Sequence, residues 1–182
     1  MKKLAIFDFD GTLFDTIDDV VECFNRALSQ NGFPSLTYEE YLEILPHDID
    51  EAASMMLKNL NTPENIETLQ ATYKKLYDES LKENTRPFPD AHEILKELQD
   101  RGMLLAINSN RKNDSISYFV DKYFNDIDFA AIEGYNPDYP SKPRRHAINR
   151  IMDKFGVSKA ESVYIGDTST DIETSLDRKS VV

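Results

Sequence analysis

A single cysteine, Cys23, stands in 182 residues, so neither an intramolecular disulfide nor a cysteine-rich zinc site can be assembled from this chain. Its expected role is packing within a helix. Glycine is scarce as well, six in all. None falls in a Gly-x-Gly-x-x-Gly or Gly-x-x-x-x-Gly-Lys-Ser/Thr run, which removes the dinucleotide and nucleotide phosphate loops. The three histidines, His47, His92 and His146, have no His-Glu-x-x-His pairing to hold zinc and read as solvated or capping residues. Basic residues are outnumbered, 21 Lys and Arg against 33 Asp and Glu, for a formal charge of −12. Nucleic-acid backbones are bound by clustered cations, so no nucleic-acid partner is expected. A small anionic substrate must then be met by local positive charge, part of which a bound metal can supply. Long apolar runs are missing too. The start, Met1-Lys2-Lys3-Leu4-Ala5-Ile6-Phe7, meets Asp8 and Asp10 too early for a signal peptide or membrane span, and a cytoplasmic protein with no membrane partner is expected.

What is present favours folding. Hydrophobic residues make up 40% of the chain and charged residues 30%, interleaved throughout. The length suits one core of ~100–150 residues plus a smaller appended unit. Leu4 to Phe7 reads as a buried strand running into the turn Asp8-Phe9-Asp10-Gly11-Thr12. From Ile17 to about Asn84 the pattern is helical, with Val20, Val21, Phe24 and Leu28 at three- and four-residue steps and Gly32 closing the first helix. Thr37 with Glu40 fits a capping box, and Thr62-Pro63 fits an N-cap with proline in the first turn. Roughly four helices fill this block.

Beyond Arg86-Pro87-Phe88-Pro89 the texture changes. A helix over Asp90–Asp100, a strand over Met103–Ile107, helices near Ser115–Tyr123 and Arg144–Phe155, and strands at Phe129–Ile132 and Val163–Ile165 alternate. Such alternation implies an α/β fold, a doubly wound parallel sheet with the helical block inserted after its first strand. Ligands of such sheets sit beyond the carboxyl ends of the strands. The expected division is 1–15 with 87–182 as catalytic core and 16–86 as an all-helical insertion.

Chemistry concentrates at four strand ends or helix starts. Asp8 and Asp10, two residues apart, can face one ligand. An aspartate can attack phosphorus as nucleophile, and a second carboxylate can shuttle the proton, although an isolated Asp-x-Asp usually means a turn. Ser109 and the following N–H of Asn110 can donate to phosphoryl oxygens. Lys142, in Ser141-Lys142-Pro143 before Ala147 and Ile151, offers an ammonium that lets carboxylates approach a dianion. Asp167 and Asp171 follow a strand and Gly166, and Asp171 also suits a helix N-cap.

Asp8-Phe9-Asp10-Gly11-Thr12-Leu13-Phe14-Asp15-Thr16 resembles the first motif of the haloacid dehalogenase superfamily at every position that motif specifies, and the other three sites follow in that superfamily's order. The resemblance implies a Rossmann-like core with a small helical cap, of the phosphoglycolate phosphatase type. It makes Asp8 the nucleophile, Asp10 the acid and base, Ser109, Asn110 and Lys142 the substrate-binding groups, and Asp8, the Asp10 carbonyl, Asp167 and Asp171 the Mg2+ site. Whether Asp171 binds directly or holds a metal-bound water is left open. Magnesium suits such oxygen donors and keeps several waters. Arg144-Arg145-His146 lacks the second proline found in many phosphoglycolate phosphatases.

The resemblance also implies that the insertion can close over the site, hinged near Asp15-Thr16 and Arg86-Pro87, excluding water and selecting the leaving group. The loop Leu45-Pro46-His47-Asp48-Ile49-Asp50 is acidic and lacks the glycine common in such caps, which points to a substrate with a hydroxyl or amine in place of a carboxylate. Phe24, Tyr41, Tyr73 and Tyr77 read as packing residues. Ser180-Val181-Val182 resembles the beginning of a further strand, and a missing edge strand would leave a sheet edge for a partner subunit to cover. The expected activity is Mg2+-dependent hydrolysis of a small phosphorylated metabolite by a monomer or homodimer. The alternatives are a pyrophosphatase, a phosphosugar mutase or a binding protein on a truncated hydrolase scaffold. Dehalogenation is disfavoured, because displacing halide does not need the proton that Asp10 supplies.

Overall fold

The computed structural model describes residues 2–45, 47 and 49–176. Pro46 and Asp48 of the acidic loop and the Ser180–Val182 segment lie outside the described residues. The chain forms two compact units, one combining the segment through Asp15 with the chain from Arg86 onward, the other Thr16–Thr85.

The first unit is built around strand β1 (Leu4–Phe7), buried at every position. Such a run without alternation is what a strand covered on both faces requires. The unit continues through β2 (Phe14–Asp15), and in the second unit come α1 (Ile17–Gln30), α2 (Tyr38–Ile44), α3 (Ile49–Leu57) and α4 (Pro63–Glu79). The first unit resumes with β3 (Arg86–Pro87), α5 (Ala91–Asp100), β4 (Leu104–Lys112), α6 (Asn113–Tyr123), β5 (Phe129–Tyr135), α7 (His146–Phe155), β6 (Ser162–Ile165) and α8 (Ser169–Ser175). The main sheet has the order β5-β4-β1-β6 with every pairing parallel, so the fold is α/β as the alternation implied. Leu4 lies opposite Leu104 on one side and Ser162 on the other, and Phe7 opposite Ile107 and Ile165.

Alternate residues of β1 feed different cores. Ala5 and Phe7 join Leu95, Leu105, Ile107, Phe119 and Phe124, whereas Leu4 and Ile6 join Ala106, Ile148, Ile151 and Val157. Helices α5 and α6 therefore cover one face and α7 the other. Fully burying each aliphatic or aromatic side chain is worth about 1.5–3 kcal/mol, so both faces anchor β1 firmly.

In the second unit, Val21, Phe24 and Leu28 of α1 pack with Tyr41, Met56 and Leu69, and Phe24 stacks on Tyr73 at 3.7 Å between centroids. Thr37 and Glu40 form the reciprocal capping box of α2, and Thr62 accepts from the Asn65 N–H at the start of α4. Asp19 is buried and accepts from the N–H groups of Asn84 and Thr85 and from the Thr85 hydroxyl, at 3.1, 2.7 and 2.6 Å. It ties the last residues of this unit to its first helix.

Of the boundaries that differ from the sequence expectation, three bear on the arrangement of the first unit. Arg86 belongs with the first unit because it pairs antiparallel with Asp15. Strand β4 runs five residues past Ile107, to Lys112, through a register shift against β5 between Asn108 and Lys112. Polar residues thus continue the strand where its pairing becomes irregular, as bulges near functional sites do. Helix α7 starts at His146, two residues later than expected. Ser141-Lys142-Pro143 forms a preceding turn, closed by the Arg144 N–H donating to the Ser141 carbonyl at 2.9 Å, with a cis Lys142–Pro143 bond.

Candidate active site

Three neighbouring strands bring the predicted residues to one end of the sheet. Asp8 follows β1, and its N–H donates to the Ile165 carbonyl at 2.8 Å, extending the pairing with β6 by one residue. Its side chain is 6% exposed. One carboxylate oxygen accepts from the Phe9 N–H at 2.6 Å and from Lys142 Nζ at 2.8 Å. The same ammonium reaches Asp171 at 2.7 Å, so Lys142 is shared between two buried carboxylates.

Asp171 is the N3 residue of α8, not its N-cap. Thr168 is the cap and closes a reciprocal box, in which the Thr168 N–H and hydroxyl donate to Asp171 Oδ2 and the Asp171 N–H donates back. The other oxygen accepts from the Tyr164 hydroxyl at 2.9 Å. Asp167, more exposed, accepts from the Thr12 hydroxyl at 2.7 Å. Gly11 and Gly166 make room for these acids: a Cβ at Gly11 would lie 2.2 Å from Asp167 Oδ2, and one at Gly166 would lie 2.4 Å from Asp171 Cγ.

Ser109 is buried in the irregular part of β4, and its hydroxyl accepts from the Arg111 N–H at 3.2 Å. The Asn110 amide holds the main chain of Lys142, accepting from its N–H at 2.9 Å and donating to its carbonyl at 3.4 Å. Asn110 thereby places the lysine turn next to β4. The histidines are not gathered together: His47 pairs with Glu51, His92 with Asp126, and His146, stacked on Tyr139, lines a pocket with Ser109 and Lys142.

Burial pushes the Asp8 carboxyl up to about 7, against the pull of Lys142 and helped by the nearby Asp171 and Asp10 charges. Burial also raises Asp167, partly offset by Thr12. For Lys142, burial opposes the charge, but Asp8 and Asp171 outweigh it and hold the ammonium above its ordinary value. Burial likewise works against the Asp171 charge, and Lys142, Thr168 and Tyr164 together leave it below the usual range.

Ligand oxygens of Asp8, Asp167 and Asp171 lie within 4.8 Å of one another. Three carboxylates against one ammonium leave an excess of negative charge, and the donors are all hard oxygens. This set fits a Mg2+ ion, which binds through few carboxylates and retains water.

Besides Thr12 and Thr168, two residues at this site carry roles that the sequence did not assign. Tyr164 supports Asp171. Arg111 is buried and grips Asp10: its Nε donates to Asp10 Oδ2 at 3.1 Å and its Nη2 donates to Asp10 Oδ1. Arg111 gave no local signal, since it stands in the polar run Asn108-Ser109-Asn110-Arg111-Lys112; only the fold shows that its buried guanidinium has the carboxylate partner it needs.

Comparison with known proteins agrees with this geometry. The profile of haloacid dehalogenase-like hydrolases matches residues 5–179. A phosphoglycolate phosphatase of Aliivibrio fischeri is 25% identical over 179 residues, 95% of this chain and 79% of that protein. One of Agrobacterium fabrum is 28% identical, covering 94% and 75%. Among solved structures, a haloacid dehalogenase-like family hydrolase of Streptococcus pneumoniae superposes with a TM-score of 0.83 at 19% identity, over 96% of this chain and 80% of that one, which shows the shared fold. With nearly its whole length matched and its four motifs gathered at one sheet end, the chain belongs to the haloacid dehalogenase-like hydrolases.

Proposed function

We propose that this protein is a Mg2+-dependent phosphatase that hydrolyses a small phosphate monoester, phosphoglycolate or a phosphosugar, through a phosphorylated Asp8. The observation that carries the reading is the Asp8 carboxylate at the end of the central strand β1, touching Lys142 and clustered with Asp167 and Asp171. We assign Thr16–Thr85 as the cap and 1–15 with the chain from Arg86 as the catalytic core.

Asp8 is positioned as the nucleophile because one of its oxygens is fixed by the Phe9 N–H and Lys142, leaving the other to attack phosphorus. As the Asp8–phosphorus bond forms, the bond from phosphorus to the ester oxygen breaks, and Asp10 gives its proton to the departing oxygen. Water then attacks the phosphorus, Asp10 takes the proton, and phosphate leaves Asp8 as a free carboxylate. In this reading Ser109 and the Asn110 N–H donate to phosphoryl oxygens, and Lys142 offsets their charge. Asp8, the Asp10 carbonyl, Asp167 and Asp171 would hold Mg2+. When bound, it supplies the positive charge that lets a phosphate dianion approach these acids. Among the described residues no helix is long and apolar enough to cross a membrane.

The test is phosphate release from p-nitrophenyl phosphate with and without Mg2+, beside Asp8→Asn. Turnover that requires Mg2+ and disappears in the variant is expected. Turnover retained by Asp8→Asn would refute the nucleophile assignment. A panel of phosphoglycolate, pyrophosphate, nucleotides and phosphosugars then separates the substrate classes.

A further inference from the structure

We infer that Arg111 is a positioning residue that sets the direction of the Asp10 carboxylate. The inference rests on the phosphatase reading and adds to it a role for a residue that the motifs leave without one. Both oxygens of Asp10 are taken by one guanidinium, Nε at 3.1 Å on Oδ2 and Nη2 on Oδ1. This two-point fork fixes the carboxylate plane as well as its place. The fork is itself immobilised: the Arg111 side chain is 3% exposed against 38% for Asp10. Its remaining terminal nitrogen, Nη1, donates to Ser115 Oγ on α6 at 2.9 Å. The guanidinium also lies 4.9 Å from the centroid of the Phe9 ring and 5.8 Å from that of Phe119. Its main-chain N–H meets Ser109 Oγ. One residue therefore connects the acid, the phosphoryl-binding hydroxyl and the aromatic core.

The arrangement has a chemical consequence. Asp10 gives its proton to the ester oxygen while the bond from that oxygen to phosphorus breaks, and the electron pair stays on the oxygen. To do so, Asp10, ionised while the fork holds both of its oxygens, must release at least one contact with Arg111, take up a proton from water on the freed oxygen and turn that oxygen toward the leaving group. The other contact keeps it from swinging into solvent. A single ammonium in place of the fork cannot impose the same orientation.

The effect depends on the leaving group, which separates positioning from general structural support. An alkyl phosphate such as phosphoglycolate needs the proton when its alkoxide departs, whereas p-nitrophenyl phosphate releases a stable anion without it. The measurement is kcat/KM for both esters at saturating Mg2+, in the wild type, Arg111→Met and Arg111→Lys. General acid catalysis is worth about 10²–10⁴-fold. The expected loss on the alkyl ester is at least about 10-fold, against less than about 3-fold on the aryl ester. Arg111→Lys keeps charge and stem, so it carries the test if Arg111→Met fails to fold. Equal losses on both esters, or no loss in a folded variant, would overturn the positioning role while leaving the phosphatase reading intact. A wild type inactive on both esters overturns the phosphatase reading and this inference with it.

Discussion

Replacing Asp8 with Asn should make the metal-free protein more stable while abolishing turnover. Burial moves the Asp8 carboxyl from the ordinary 3.8 to about 7. At 1.36 kcal/mol for each tenfold change, keeping it ionised in the fold costs about 4 kcal/mol relative to the unfolded chain. The sign follows from proton counts. Between about pH 4 and pH 7 the folded state holds a proton that the unfolded state has lost, so stability falls as pH rises, then stays at the lower level above pH 7. An amide is neutral throughout and keeps an oxygen for the Phe9 N–H and Lys142. Asp8→Asn should therefore exceed the wild type by about 2–4 kcal/mol at pH 8 in EDTA, with less than half that gap at pH 5. Adding Mg2+ should narrow or reverse the difference, because a cation that binds only the native state stabilises the protein that retains all its ligands. Urea unfolding followed by circular dichroism at both pH values, with EDTA and with Mg2+, measures this. A variant no more stable than wild type at pH 8 in EDTA, or a gap equal at pH 5 and pH 8, would refute the burial argument.

Two further outcomes test other parts of the structure. Gly11→Ala places a Cβ 2.2 Å from Asp167 Oδ2 at a backbone with φ +78°, so the carboxylate must move. The Mg2+ concentration for half-maximal activity should rise about 10–100-fold, the usual penalty for disturbing metal-site support. Asp19→Ala removes the acceptor of the Asn84 and Thr85 donors and should destabilise the helical unit by about 2–4 kcal/mol, with Asp19→Asn intermediate. Amide hydrogen exchange in α1 and α4 reads that loss directly, and unchanged protection there would count against the clasp.

The elements that were legible in the sequence are those whose signals are local. Leu4–Phe7 is a continuous apolar run, Thr37 and Glu40 are a capping pair three residues apart, and Thr62-Pro63 announces α4. Asp8, Ser109, Lys142, Asp167 and Asp171 stood out because each follows a strand or precedes a helix in a motif order. What remained hidden depends on distant partners. The extension of β4 through Ser109-Asn110-Arg111 looks like a polar loop, since only main-chain pairing with β5 makes it a strand. The Arg111 fork is invisible without knowing that Asp10, 101 residues earlier, lies beside it. The support of Asp171 by Tyr164 likewise arises from one side chain of β6 meeting the first turn of α8. Helix α7 was expected too early because Arg144 and Arg145 fit a helix by composition, yet Arg144 closes the turn from Ser141 and Arg145 is the helix's N-cap.

Phe9 stands between Asp8 and Asp10, is fully buried, and stacks on Phe14 at 4.4 Å beneath the Arg111 guanidinium. Its position makes the hydrophobic core the alignment jig for the two acids. The entropy of orienting nucleophile and proton donor is settled during folding, before any substrate arrives. Mutational tolerance should then be inverted from the usual expectation: the exposed rim of the site can drift with substrate, while a single methylene lost at Phe9 or Phe14 is transmitted straight to the reacting atoms.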